Sequence, residues 1–183
     1  MNVIDILKIV KPLPRGVYNI TTDLHRVEPI LNDWAADYVS MGGMLQMVPD
    51  FQRGHVWTKA QQVAYIESLM KGVAPKTIRF ATGNWVSNLK PDGYMKNLYC
   101  LDGLQRVTAV IDFVNGDFAV CDGQITYAGN EDYFRSYCKL EFEVLEIETR
   151  EELLETYIAI NAGGTAHPTE EINRVKGLLE ACK

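Results

Sequence analysis

An apolar stretch, Leu98-Tyr99-Cys100-Leu101, runs into Asp102-Gly103, and an amphipathic pattern begins at once with Leu104. A strand that becomes a helix through two residues has little freedom in how it turns. The helix must start where the strand ends, with the backbone amides of Gly103 to Gln105 pointing outward. The spacing predicts a helix over about 104–114, closed by Asn115-Gly116. Asp102 stands at the position of a helix N-cap. Two readings of it are open: an ordinary cap, or a carboxylate that holds a metal ion or orients a water, with Arg106 one turn on neutralising phosphate.

A comparable junction lies upstream. Val48-Pro49-Asp50-Phe51-Gln52-Arg53-Gly54-His55-Val56-Trp57 follows a brief strand at 45–48 and precedes Thr58, which caps a helix through about Met70. Arg53 then sits close to a helix N-terminus, whose free amides favour an anion, and its planar fork of donors suits phosphate oxygens. Gln52 offers a donor and an acceptor, and Trp57 a face for stacking. The ordinary alternative makes Trp57 a core anchor and pairs Arg53 with Asp50. A third segment, 157–172, ends one helix at Gly163-Gly164 and starts the next at Thr169. It is a plain helix corner, or a place where Asn161 faces a ligand.

Around these segments the pattern alternates irregularly. Strands are expected at 45–48, 76–81, 98–101 and 139–147, and a short apolar helix or arm at 1–10. Further helices are expected from an Asp23 cap to Gly42-Gly43, from a Thr149 cap of the form Thr-x-x-Glu, and from Thr169 to about Leu179. Nothing repeats at a fixed period, so a mixed α/β or α+β layer fold is expected. No long polar linker divides the chain. One domain over 1–183 is expected, with an N-terminal arm at 1–20 and C-terminal helices at 149–183. With 183 residues, 47% of them hydrophobic, the core needs neither disulfides nor a structural metal.

The formal charge of the chain is -6, which argues against non-specific adhesion to nucleic acid or to an anionic membrane. That charge is uneven. Residues 51–110 hold eight basic side chains against three acidic ones, whereas the last 73 residues hold six against fifteen. An anionic ligand should therefore meet the middle of the chain. The four cysteines show no metal spacing and are expected as free thiols, which together with the lack of a signal peptide or long apolar run suggests a cytoplasmic protein with no membrane role. Walker A, GxGxxG, His-Glu-x-x-His and Gly-x-Ser-x-Gly patterns are all absent from the sequence. His25, His55 and His167 stand at no metal-ligand spacing from one another.

Taken together, Val48-Pro49-Asp50-Phe51-Gln52-Arg53 with Trp57, Asp102-Gly103-Leu104-Gln105-Arg106, and Ile160-Asn161 with Gly164 and Glu171-Ile172 resemble the DUF262 family, the N-terminal domain type of the GmrSD restriction systems. The resemblance runs from about 20 to 180. It implies a ParB/sulfiredoxin-like fold and a site that binds and hydrolyses a nucleoside triphosphate, with or without Mg²⁺, to control DNA cleavage in phage defence. On that resemblance Gln52, Arg53, Trp57, Gly103, Gln105 and Asn161 bind nucleotide, Asp102 and Arg106 are catalytic, and Asp102 is the metal ligand. Two positions depart from the family pattern. Leu104 stands where a second glutamine is usual, and His55 replaces a common aromatic. The acidic last 73 residues hold no His-Asn-His type ligand set, so a separate nuclease subunit is expected as partner, with DNA reached through it.

Two functions follow. One is an NTP-hydrolysing module of a restriction or related DNA-processing system, in which Asp102 positions Mg²⁺ or the attacking water. The other is a non-catalytic nucleotide- or DNA-binding regulator encoded by a phage or mobile element.

Overall fold

Alternation along 139–146 builds the spine of the molecule. In β5 (Lys139–Glu146), Leu140, Phe142 and Val144 turn to one face and are fully buried, while Glu141 and Glu143 turn to the other. The computed structural model describes residues 3–10, 13–14, 16–83, 96–162 and 169–182. Within these, β5 pairs antiparallel with β1 (Gly16–Asp23) and parallel with β3 (Thr77–Thr82). β3 pairs antiparallel with β4 (Leu98–Asp102), and β4 pairs parallel with the two-residue β2 (Leu45–Gln46). The order across the sheet is β1-β5-β3-β4-β2, a mixed sheet in an α+β fold.

Both faces are covered. α2 (Val27–Ser40), α3 (Lys59–Met70), α4 (Leu104–Val114) and the short α5 (Glu131–Tyr137) pack on one face around Phe80, Phe142 and Trp34. Those three rings meet at centroid distances of 5.3 to 5.6 Å, the spacing of attractive edge and tilted pairs. α6 (Arg150–Ala162) and α7 (Thr169–Glu180) pack on the other face, where Phe51, Leu101, Leu145, Leu153, Tyr157 and Val175 form a second core. α1 (Val3–Val10) precedes this assembly.

Several boundaries follow directly from local chemistry. Thr58 accepts from the Gln61 amide while the Gln61 side chain accepts from the Thr58 amide, a complete capping box that starts α3. Thr149 Oγ1 accepts from the Glu152 amide at the start of α6. Here the Glu152 carboxylate reaches the Glu148 amide instead of that of Thr149. Pro29 lies in the first turn of α2, where its missing amide costs no helical bond.

Other positions differ from the expectation. Asp23 makes no cap bond; a single 3₁₀ turn at Leu24–Arg26 intervenes before α2. Its carboxylate pairs with Lys139, its partner across the β1–β5 ladder. β1 and α5 carry weak apolar signals because β1 is an edge strand that buries only Thr22, and α5 buries only Phe134. The loop expected at 83–96 and the Gly163-Gly164 corner lie largely outside the described residues. Cys100 and Cys138 are buried, Cys121 is half-buried and Cys182 exposed, all as free thiols. Burial pushes the Cys100 thiol up to about 12. Among the described residues no helix is long and apolar enough to cross a membrane.

Candidate functional site

β4 carries Asp102 to the end of the sheet, and the chain turns there into α4. Gly103, not Asp102, occupies the N-cap, with φ +106°. A Cβ at Gly103 would lie 2.6 Å from Ile78 Cδ1 and 3.2 Å from Ile78 Cα. Glycine is thus required both by the left-handed backbone and by the close approach to β3. The first helical amide to find a carbonyl is that of Val107, bonded to Gly103 at 2.9 Å. The amide of Leu104 turns back to the Cys100 sulfur, and those of Gln105 and Arg106 stand at the open end of α4.

Asp102 is relieved of capping and placed between two cations. Its Oδ1 lies 2.5 Å from Arg106 Nη2, and its Oδ2 lies 3.7 Å from Arg79 Nη1. Arg79 also donates from Nε to Glu143 Oε2 at 2.9 Å. Strand register produces this arrangement: Arg79 on β3 is the partner of Glu143 on β5 and of Asp102 on β4, so charges of alternating sign cross three strands. Arg106 is only 9% exposed, and its Nη1 donates to the Thr77 carbonyl at 2.8 Å. The side chain expected to grip phosphate thus ties α4 to the start of β3.

Gln105 also works within the protein. Its Oε1 accepts from the amides of Val56 and Trp57 at 2.9 and 3.1 Å, and its Nε2 donates to the Gly54 carbonyl at 3.1 Å. Three hydrogen bonds from one side chain join the two Gln-Arg segments. The upstream loop is anchored at both ends as well. Phe51 is fully buried against Tyr157 at 5.0 Å, and the Trp57 ring packs on Tyr65 at 5.4 Å. Beneath the loop, Arg150 pairs with Asp50 at 2.5 Å. Trp57 is accordingly a core anchor that also presents part of its surface to the site.

The two segments enclose one cavity of about 720 Å³, within the usual range for a small-molecule site. Gln52, Arg53, Trp57, Asp102, Gly103, Gln105, Arg106 and Asn161 all line it. Asn161 reaches it from the end of α6, with its Nδ2 donating to the Tyr157 carbonyl at 2.8 Å. β3 and the residue before it add three that the sequence did not single out, Lys76, Thr77 and Arg79. Their signal was present: Arg79 is a charged residue within the otherwise apolar run Ile78 to Ala81. Among the described lining residues Arg53, Lys76, Arg79 and Arg106 face a single carboxylate, that of Asp102. Such a wall favours an anion. Gln52 Oε1 is buried with no hydrogen-bond partner among the described residues, an arrangement that a donor on a ligand would relieve. His55 is not among the lining residues, and its Nε2 lies 3.4 Å from Gln62 Nε2; His167 lies outside the described residues.

A protein-held divalent cation does not fit this wall. Among the described residues Asp102 is its one carboxylate, and both oxygens are engaged by guanidinium groups. Among the described residues no three His, Cys, Asp or Glu side chains are grouped to hold a metal ion.

The paired Gln-Arg segments lie within the stretch of the chain that a known family covers. Residues 36–158 match the family model described as the GmrSD restriction endonuclease, N-terminal domain. The chain belongs to that family. No curated protein and no solved structure matches it.

Proposed function

We propose that the cavity binds a nucleoside triphosphate and that the protein serves a restriction or phage-defence system as its nucleotide-responsive module. The supporting observation is the wall itself: four cations against one carboxylate, beside the open end of α4 and the unpartnered Gln52 Oε1. Phosphates suit the cations and the α4 amides. A ribose hydroxyl or base amino group suits Gln52, and Trp57 offers a stacking face. Arg53 and Lys76 meet the phosphates in this reading, while Arg79, held by Glu143 and Asp102, and Arg106, held by Asp102 and Thr77, add positive charge to the wall. A nuclease subunit that acts on DNA is the partner that this reading requires.

Binding is the function the geometry supports best. Hydrolysis is a second reading, favoured by the position of Asp102 at the cavity wall. In it Asp102 orients a water, and Arg79 and Arg106 hold the carboxylate still. Calorimetric titration with ATP and GTP, alongside phosphate release, separates the two. Heat of binding that Arg53→Ala and Lys76→Ala each weaken by roughly tenfold or more, without phosphate release, supports the binding module. Turnover that Asp102→Asn abolishes supports hydrolysis. A wild-type protein that binds no nucleoside triphosphate overturns the proposal.

A further inference from the structure

The segment matched by the family model ends at residue 158, yet a side chain from beyond it holds the upstream loop of the site. Arg174, on α7, donates from Nη1 to the Asp50 carbonyl at 2.8 Å and from Nη2 to the Phe51 carbonyl at 2.7 Å. One planar guanidinium thus spans two successive main-chain carbonyls immediately before Gln52 and Arg53. Arg150 on α6 fixes the Asp50 side chain at 2.5 Å. α7 is itself seated by Val175, which is fully buried in the second core with Leu178 and Leu179 packed against it. The backbone leading into the Gln52-Arg53 segment is therefore set from α7.

We infer that α7 is the coupling element of this site: Arg174 is a positioning residue that holds the Gln52-Arg53 loop in its binding conformation, and occupancy of the cavity in turn steadies α7. A loop that is competent only part of the time lowers apparent affinity by that fraction, so releasing the clamp weakens binding without removing any ligand contact. Linkage makes the effect reciprocal: a ligand that selects the clamped loop also favours docked α7. The second half of this inference rests on the nucleotide reading of the cavity. The clamp itself does not.

Hydrogen exchange on the full chain tests both halves, with ATP and inorganic tripolyphosphate as probes. Without ligand, Arg174→Ala is expected to raise exchange at the amides of residues 52–57 by roughly tenfold while those of α3, α4 and β5 keep their protection. Arg174→Lys should fall between, because one ammonium cannot span both carbonyls in the same plane. With saturating ATP, wild-type α7 should gain protection, and Arg174→Ala should lose that gain along with roughly tenfold in affinity. Unchanged exchange of the loop in Arg174→Ala overturns the clamp. ATP that protects the loop but leaves α7 unchanged overturns the coupling. If neither probe binds the wild type, the nucleotide reading and the coupling fall, while the loop exchange still decides the clamp. Should Arg174→Ala not fold, Arg174→Lys carries the same comparison.

Discussion

Gly103 shows how a single position can be fixed by two demands at once. Its φ of +106° and the 2.6 Å approach of a hypothetical Cβ to Ile78 Cδ1 combine a backbone penalty with overpacking. Gly103→Ala is expected to destabilise the fold by about 2–4 kcal/mol. Gly116→Ala, at φ +85° with open space around it, should cost only about 1 kcal/mol. Urea denaturation of the two variants side by side checks the difference; equal losses would mean that the contact with Ile78 is unimportant. Asp102, Gln105 and Arg106 carry a related lesson. Their sequence pattern announced a site, but most of their bonds run to Arg79, Thr77, Gly54, Val56 and Trp57. They build the cavity wall more than they reach into it.

α3 and α4 were legible in full, because each has a strong local start and stop. The Thr58–Gln61 box begins α3, and the strand-to-glycine turn begins α4. Thr58→Ala should cost about 1 kcal/mol, measured as a drop in thermal midpoint. A second variant, Gln61→Ala, removes the reciprocal bond to the Thr58 amide and should cost less, since that amide lies exposed to water. β1 and α5 were not legible: each is stabilised by what it pairs with, not by its own pattern. Seven of the eight β1 residues find partners on β5, and α5 is held chiefly through Phe134, which packs on Phe113 at 5.1 Å. Arg79 belongs in the same category. Its charge was visible in the sequence, but its place in the site depends on a register that sets Glu143 on one side and Asp102 on the other.

Across the whole molecule, the acidic surplus does not exclude an anionic ligand, because much of the acid is tied to structural partners or lies away from the cavity. Asp23 and Lys139 show the first case, at one end of the β1–β5 ladder. The hydrogen bond from Lys139 holds the Asp23 carboxyl below its usual value of 3.8. A depressed carboxyl contributes stability that is present above the unfolded value and is lost as pH falls through the folded one, because the unfolded chain binds the proton first. The stability difference between wild type and Lys139→Ala should therefore be full near neutral pH and shrink as pH falls below about 3.8. Urea midpoints of both proteins across that range test it. A gap that stays constant into strong acid would remove the pair from the acid response.

From residue order alone came the two strand-to-helix junctions, the class of the fold, the free thiols and the eight residues that line one cavity. The junctions, the fold class and the thiols rest on short-range chemistry, namely alternation, capping, turn glycines and cysteine spacing, whereas the grouping of the eight residues into one site came from the resemblance to a known family. Only the tertiary structure decided how those residues divide their work. It made Gln105 and Arg106 into struts, brought Arg79 on β3 and Lys76 just before it to the wall, and laid α7 against the Gln52-Arg53 loop through Arg174. The physical reason is that strand register and the packing of helices on opposite sheet faces join residues as far apart as Phe51 and Arg174, and no local pattern records that distance.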